Sequence, residues 1–275
     1  MKRSVHGLLV TVLAMALAGC GSEQSKSQAQ RPHDTSLERV HRAGELLWGV
    51  DVVGGIPYAF EDPKHPGSYI GFEVDVAKEV AQQLGVKLKM VVRAWDTLIP
   101  ELQRGTFDMA MNGIEDTPER AAIVDFSEPY FVYSQQLTVR KETEGIQKLA
   151  DLNGKKVATL SGTAAEDILR GTPGIKVITS PEIIYSYRDL ETSRVDAVLL
   201  DTPIAAAYGA ANPKLKNVGE SFAEGRYVIA FRKEDQELRN AVNAALVTLK
   251  QNGVLRATYK KWGILDVHQQ RIGVL

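Results

Sequence analysis

A repeated unit of helix end, short turn and apolar strand is the feature that most constrains the fold of this chain. It occurs as LQRGTFDMAMNG, which begins at Leu102, and as LETSRVDAVLLD, which begins at Leu190. Such matched units predict two lobes of related design. Gly113 and Asp201 hold equivalent positions just past the two strands, where open α/β sheets bind ligands. We therefore expect NGIED and LLDTP to face each other across one cleft.

Short β-rich runs alternate with amphipathic helices along the chain, and this alternation is typical of an α/β fold. Strands are predicted over residues 46–52, 86–92, 107–111 and 226–233. Helices are predicted over residues 72–85 and 97–105 and within 237–262. A fresh strand, loop and helix are expected within residues 149–169, in a second lobe that opens near Ser134.

The N-terminus has the layout of an export signal. Lys2 and Arg3 precede an apolar run over residues 8–18, which is too short for a permanent membrane helix. The run ends in LAGC, which resembles the bacterial lipobox, and Cys20 is the single cysteine. We expect a signal peptide over residues 1–19 and a lipid on Cys20 that anchors the chain to the cell membrane or outer membrane, facing the periplasm or extracytoplasmic space. The alternative is a buried or free thiol.

A polar segment separates this signal from the folded body. Residues 21–36 carry no large apolar side chain, and such a composition is typical of a disordered tether. We predict that residues 20–36 form the lipidated cysteine and tether, and that the fold begins near Leu37. No later segment has the ~20 consecutive apolar residues of a membrane span.

The composition of the chain limits the kinds of partner that it is expected to bind. The chain has 33 basic and 34 acidic residues, a net charge of -1, so no global field favours nucleic acid or an anionic membrane. Five histidines and one cysteine show no metal-ligand spacing. We expect no nucleic-acid partner, no metal and no cofactor.

Seven ordered motifs resemble one family. They are PYAFED with IGFEVDVAKEVA, WDTLIPELQRGTFD, TPERAAIVDFSEPY, GKKVATLSGT, VDAVLLDTP, YVIAFRKEDQELRNAVNAAL and YKKW, and they cover about residues 46–262. Together they are similar to the extracytoplasmic solute-binding proteins of ABC importers for polar amino acids. The resemblance implies a type II periplasmic-binding-protein-like fold with two hinge crossovers. It also implies closure around one free amino acid and delivery to an ABC permease by a monomer.

The resemblance also implies a division of the chain. One lobe would comprise residues 37–133 plus 226–264, and the other residues 134–225. Residues 265–275 would be a C-terminal tail, to which the sequence assigns no role.

The chemistry of an amino acid indicates which residues bind it. A zwitterion needs a fork of donors for its carboxylate and an acid for its ammonium. Arg120 offers the planar fork, and the resemblance assigns it to the α-carboxylate and Asp201 to the α-ammonium. The N-H groups around Thr163 and Ala164 could converge on an anion after a strand. Asn112 and Gly113 would supply backbone groups.

The resemblance implies ligand-binding roles for two further residues. Trp95 holds the position whose ring stacks on the ligand, where it could also attract a cation over its face. Asp51 aligns with a pocket acid that meets the ligand side chain in some relatives. Taken singly, each candidate has a structural alternative: Arg120 as a surface charge, Thr163 and Asp201 as caps, and Trp95 as core.

Glu115 departs from the family pattern, in which Ser or Thr is usual. A carboxylate here would repel the ligand's own carboxylate unless it turns to the ammonium, pairs with Arg120 or meets a cationic side chain. A second departure is Gly54-Gly55, where relatives carry an aromatic wall residue. Asp51, Glu115 and Asp201 against Arg120 leave two negative charges in excess. We therefore expect a cationic ligand such as arginine or lysine, in preference to neutral ligands resembling glutamine.

Two other functions stay open at this stage. The periplasmic cyclohexadienyl dehydratase shares the implied fold and uses an added carboxylic acid, and Glu115 could be such an acid. A ligand-sensing module of a receptor is the other alternative. Because Arg120 and Asp201 keep the pattern of a binder, we expect no enzyme and assign no catalytic residue.

Overall fold

The computed structural model describes residues 34–53 and 55–275. The predicted signal peptide, Cys20, most of the predicted tether and Gly54 lie outside the described residues. Within the described ranges, no helix combines the length and the apolar character needed to cross a membrane.

Nine α-helices are present in the described part of the chain. They are Ser36–Ala43 (α1), Phe72–Gln83 (α2), Leu98–Gln103 (α3), Pro118–Ala121 (α4), Ala164–Arg170 (α5), Ile183–Glu191 (α6), Thr202–Ile204 (α7), Gln236–Gln251 (α8) and Val254–Lys261 (α9). Short 3₁₀ helices cover Trp95–Thr97, Leu149–Leu152 and Val267–Ile272. A π-helical turn covers Ala205–Ala210.

The described residues also form twelve strands. They are Glu45–Val50 (β1), Phe60–Glu61 (β2), Tyr69–Ile70 (β3), Lys87–Val92 (β4), Met109–Ala110 (β5), Asp125–Phe126 (β6), Phe131–Arg140 (β7), Lys156–Leu160 (β8), Lys176–Ser180 (β9), Ala197–Asp201 (β10), Leu215–Tyr227 (β11) and Ala230–Phe231 (β12).

Two five-stranded sheets organise the fold. The first has the order β4-β1-β5-β12-β6 and the second the order β11-β7-β10-β8-β9. In each sheet three neighbouring strands pair in parallel, and the other two strands are joined through antiparallel pairs. The chain leaves the first sheet after β6 and returns to it at β12. This α/β architecture with two crossovers confirms the predicted fold class, while the exact lobe limits stay a prediction.

Burial explains why β1 and α2 form where the sequence predicts them. The side chains of Leu46, Trp48 and Val50 in β1 are fully buried, and their spacing of two residues places all three on the face of the strand that packs into the core. Val76 and Val80 of α2 are also fully buried in the same core cluster. Their spacing of one helical turn places both on the face that packs on the sheet.

The repeated unit lies where the two sheets approach each other. Its apolar strands are β5 and β10, which occupy the first and second sheets respectively. Gly113 follows β5 and Asp201 ends β10, and both line one cavity. The sequence repeat therefore predicted the place at which the two halves meet.

Two boundary predictions need correction. The predicted strand over residues 226–233 is two strands, because the chain changes sheets after Tyr227: the Val228 N-H donates to the Ile114 carbonyl at 2.9 Å and the Ile229 N-H to Ser127 Oγ at 2.9 Å. The predicted tether extends too far. Asp34 and Ser36 already belong to the fold, since their side chains accept from the Glu237 and Leu238 N-H groups at the start of α8.

The C-terminal segment packs on both crossover strands, β7 and β11. Gln269 is fully buried, and its Oε1 accepts from the Val132 N-H at 3.0 Å while its Nε2 donates to the Val132 carbonyl at 2.9 Å. Arg271 and His268 both pair with Glu224 of β11. Residues after 264 therefore contact both strands that continue into the second sheet.

Candidate functional site

A small cavity lies between the carboxyl ends of strands from the two sheets. Its volume is about 20 Å³. It is lined by Tyr58, Trp95, Asn112, Gly113, Glu115, Leu160, Thr163, Leu200, Asp201 and Ile204. Six of the nine ligand-binding residues predicted from the sequence are in this set. Arg120 and Ala164 contact Glu115 at its margin, and Asp51 is the residue that the structure places elsewhere.

The TPER segment positions Arg120 by local capping. Thr117 precedes α4 with an extended backbone, and its side-chain oxygen accepts from the Arg120 N-H at 3.3 Å. Pro118 opens the helix, where a missing N-H costs nothing. The single turn that results points the Arg120 side chain back toward the residues after β5.

Glu115 and Arg120 form a buried ion pair. Arg120 Nη1 donates to Glu115 Oε2 and, at 2.8 Å, to the Glu115 main-chain carbonyl. Their side chains are 3% and 13% exposed. Of the three partners that the sequence left open for Glu115, the structure shows the pairing with Arg120.

Arg120 also reaches the second half of the molecule. Its Nη2 donates to the Gly162 carbonyl at 2.9 Å, and its guanidinium lies 5.2 Å from the centre of the Trp95 ring. A second, larger cavity of about 230 Å³ lies beside these groups and is mainly apolar, with Leu98 and Ile123 among its lining. Arg120 therefore separates the small polar cavity from an apolar one.

In the loop before α5, the N-H and hydroxyl donors bond to acceptors of the protein itself. Thr163 Oγ1 donates to the Leu160 carbonyl at 2.8 Å and accepts from the Glu166 N-H at 3.3 Å. The Gly162 N-H donates to Glu166, while the Ala164 N-H donates to Glu115 Oε1 at 3.1 Å. Thr163 is thus a helix cap, as its structural alternative predicts, and Ala164 supplies the donor that reaches the cavity.

Asp201 is a buried acid held by neutral donors. Gln135 Nε2 donates to its Oδ1 at 2.7 Å, and Tyr227 OH donates to its Oδ2. Burial raises the pKa of Asp201 to about 8, and the negative charge of Glu115 adds to this shift. At neutral pH the acid is largely protonated, so its negative charge develops only when a cation enters.

Asp51 accepts two backbone hydrogen bonds. Its two carboxylate oxygens accept from the Val53 N-H at 2.8 Å and the Trp95 N-H at 3.1 Å. Among the described residues it does not line the cavity. Asp51 instead fixes the backbone that carries Trp95, whose ring N-H donates to the Asn112 carbonyl at 2.9 Å.

The backbone groups expected from Asn112 and Gly113 are largely occupied. The Asn112 carbonyl accepts from Trp95, and the Gly113 N-H donates to Glu73 Oε1 at 2.7 Å. Gly113 has a φ of 63°, and a Cβ there would lie 3.1 Å from Tyr58 Cε1, so the turn requires glycine. Both residues line the cavity, and their role toward a ligand stays a prediction.

Glu73 supports the site from beneath and gives a first prediction. It is fully buried and accepts from Tyr130 OH and the Gly113 N-H; burial raises its pKa from 4.5 to about 7. Because the folded state holds the proton more tightly, stability is full below the unfolded pKa and is lost as pH rises through about 7. In the wild type, ionisation of Glu73 should lower the unfolding free energy by roughly 2–3 kcal/mol between pH 5 and pH 8. Glu73→Gln should lack this loss.

Urea denaturation across this pH range measures the effect. Glu79→Gln, an acid-to-amide change at a half-buried position of the same helix, is the matched control. An unchanged pH dependence in Glu73→Gln would show that Glu73 is ionised at no cost in the folded protein.

Three contributors were not singled out by sequence reasoning. Tyr58 and Tyr227 join their hydroxyls at 2.7 Å, and Tyr227 continues to Asp201, whereas Gln135 reaches Asp201 from β7. Tyr58 lies in the PYAFED motif, which supported the family resemblance, but the sequence assigned no function to Tyr58 itself. Tyr227 and Gln135 lie in strands, where burial by another chain segment gives no local pattern.

The two sheets, the two crossovers and the polar cavity between them define a cleft-type ligand-binding protein. The chain belongs to the bacterial extracellular solute-binding proteins, family 3, whose family model matches residues 50–264. The match spans both sheets.

Individual proteins agree with this assignment. The L-cystine-binding protein TcyJ of Escherichia coli (strain K12) is 33% identical over 262 residues, which are 94% of this chain and 96% of the relative. The arginine-bound form of truncated ArgBP from T. maritima has a TM-score of 0.73 and 37% identity, covering 78% of this chain and 100% of its own. An ancestral amino acid-binding protein, AncCDT-1, described as a precursor of cyclohexadienyl dehydratase, has a TM-score of 0.77 and 36% identity, covering 82% and 99%.

Proposed function

We propose that the protein binds a cationic amino acid, arginine or lysine, in the cavity between the two sheets and presents it to the permease of an ABC importer. The observation that carries this proposal is the charge pattern of the cavity. Two acids, Asp201 and Glu115, and one guanidinium, Arg120, converge there. A ligand with two positive groups and one carboxylate complements that set.

Each ligand group has a proposed partner. Asp201, oriented by Tyr227 and Gln135, receives the α-ammonium. Arg120 and the Ala164 N-H receive the α-carboxylate, since their donors converge on one point from the two halves of the molecule. Trp95 provides an aromatic face beside them, and a cation over such a face gains about 0.5–2 kcal/mol.

Delivery requires the cleft to open and close. We propose that residues 37–133 plus 226–264 move as one lobe against residues 134–225, about the two crossovers. A ligand that contacts both lobes favours the closed state through its higher affinity for that state. Contacts such as Arg120 Nη2 to the Gly162 carbonyl would be made and broken in this motion.

Location follows in part from the family, which is extracellular. We further propose that residues 1–19 are a signal peptide, that Cys20 carries a lipid, and that the protein acts as a membrane-anchored monomer. Metabolic labelling with a radioactive fatty acid tests the anchor, with Cys20→Ala as control. Equal labelling of the two would refute it.

The ligand is tested by a thermal-shift and calorimetric screen of the purified protein against the amino acids, including arginine, lysine, glutamine and cystine. A ligand present at 100 times its Kd stabilises the folded state by about 2.7 kcal/mol, so we expect arginine or lysine to raise Tm. Tight binding of a neutral or acidic amino acid, with none of arginine or lysine, would contradict the proposal. Arg120→Lys, which removes the planar fork but keeps the charge, should weaken binding of the same ligand.

We propose that the protein is not an enzyme, although one structural neighbour is described as a precursor of a dehydratase. The buried acid Glu115 favours the enzyme alternative at first sight. However, its two oxygens accept from Arg120 and from the Ala164 N-H, so both oxygens are committed to contacts within the protein. Incubation with prephenate or arogenate should yield no aromatic product.

A further inference from the structure

Glu115 holds the donors that a ligand carboxylate would need. Its Oε2 accepts from Arg120 Nη1 and its Oε1 from the Ala164 N-H at 3.1 Å. These donors come from opposite halves of the molecule, one from the segment after β5 and the other from the segment after β8. The side chain thus makes the two-sided contact expected of a bound carboxylate.

Three of the five N-H donors of Arg120 are already used within the protein in this arrangement. Nη1 donates twice to Glu115, to the side chain and to the main-chain carbonyl, and Nη2 donates to the Gly162 carbonyl. The cavity beside them, at about 20 Å³, has room for little more than one water molecule. A ligand carboxylate therefore reaches these donors only when the Glu115 carboxylate leaves them.

The backbone around Glu115 is fixed, so the exchange involves the side chain. Glu115 forms an antiparallel bridge with Tyr227, and the Asp116 N-H donates to the Arg226 carbonyl at 3.2 Å. Three side-chain torsions remain free to swing the carboxylate away. Removal from Arg120 leaves a buried charge that needs a new partner, because an unpaired buried charge is strongly destabilising.

The identity of that new partner selects the ligand. Asp201 lines the same cavity, and under the proposed function it receives the α-ammonium of the ligand. A neutral amino acid brings a single ammonium for the two acids, whereas a dibasic amino acid brings a second cation for Glu115. A decarboxylated amine needs no exchange at all, because it leaves the Glu115 pair with Arg120 intact.

We propose that Glu115 is an internal carboxylate that competes with the ligand carboxylate for Arg120 and the Ala164 N-H, and that it restricts the cleft to ligands carrying a second positive charge. This inference rests on the proposed function, because it assumes that Arg120 is the carboxylate site. It makes Glu115 the specificity-determining residue of the cleft.

A comparison of one ligand with its decarboxylated form tests the competition. L-arginine and agmatine are titrated into the wild type, Glu115→Thr and Glu115→Gln by calorimetry. In the wild type the arginine carboxylate only replaces another carboxylate, so its presence adds little affinity. In Glu115→Thr it meets open donors, and we expect the ratio of arginine to agmatine affinity to rise by about tenfold or more. L-glutamine should gain affinity for the same variant.

Glu115→Gln separates charge from shape. It keeps the length of the side chain but not its charge, and we expect an intermediate ratio. A ratio that stays within about twofold of the wild type in both variants would overturn the proposal, even if arginine binds. If arginine and agmatine fail to bind every form, the proposed ligand is wrong, and a measurement without an amino acid decides the competition.

That measurement uses acetate as the carboxylate. Acetate should raise the Tm of Glu115→Ala, because it fills the position of the missing side chain, and should leave the Tm of the wild type unchanged. The double variant Glu115→Ala with Arg120→Gln should lose the response. Equal acetate responses of the wild type and Glu115→Ala would overturn the competition independently of the ligand.

Discussion

Asp201→Asn should lower the affinity for the amino-acid ligand by roughly 100-fold or more, since a charge-assisted contact to the ammonium becomes a neutral one. The same substitution should stabilise the ligand-free protein at high pH. Asp201 is buried and keeps a raised pKa of about 8, so its contribution to stability is full below the unfolded pKa of 3.8 and is lost as pH rises through about 8. The amide does not titrate and removes this loss.

Calorimetry at pH 7 in two buffers of different ionisation enthalpy provides a direct readout. A cation that binds Asp201 favours its ionised form, so the wild type should release close to one proton, and affinity should rise by up to about tenfold per pH unit below pH 8. Asp201→Asn should release none. Asp96→Asn, an exposed acid beside the cleft, should behave as the wild type. Binding without proton release would mean that Asp201 is already ionised or is not the ammonium partner.

Gln269→Ala should reduce the unfolding free energy by about 2–6 kcal/mol, because it deprives two buried backbone groups of their partners at a cost of about 1–3 kcal/mol each. The groups are the N-H and the carbonyl of Val132, both bound by the Gln269 side chain. Val132 is buried near the start of β7, where the chain enters the second sheet.

The neighbouring residue provides the control. Gln270 is exposed, so Gln270→Ala should change stability by less than about 0.5 kcal/mol. Urea denaturation of the two variants measures the difference. Equal stability of the two variants would mean that the Gln269 side chain contributes nothing to the stability of the folded body.

The fold and the place of the site could be predicted because they depend on patterns local in the chain. Apolar alternation and helical spacing predicted β1 and α2, and a repeated unit placed Gly113 and Asp201 on one cavity. Such patterns record which side of an element is buried. The end of β11 at Tyr227 was not predicted, because the apolar run in the sequence continues through the point where the chain passes from the second sheet to the first.

The hydrogen bonds of the site could not be predicted because their partners are distant in sequence. Gly113 donates to Glu73, and Asp51 is used by the Trp95 backbone. Both facts depend on how α2 and the loop after β4 pack in space. For Glu115 the sequence narrowed the partner to three alternatives, and the distances to Arg120 and Ala164 were needed to choose among them.

The position of Trp95 has a practical consequence for spectroscopy. The chain has three tryptophans. Trp48 is fully buried and bonded to the Met111 carbonyl, and Trp262 is bonded to Asp75, whereas Trp95 lies in the cavity wall under the Arg120 guanidinium. Any event that moves the Glu115 and Arg120 pair changes the field across the Trp95 indole and leaves the surroundings of the other two intact. The cleft therefore carries its own fluorescent reporter, and the kinetics of carboxylate exchange can be followed in the unlabelled protein.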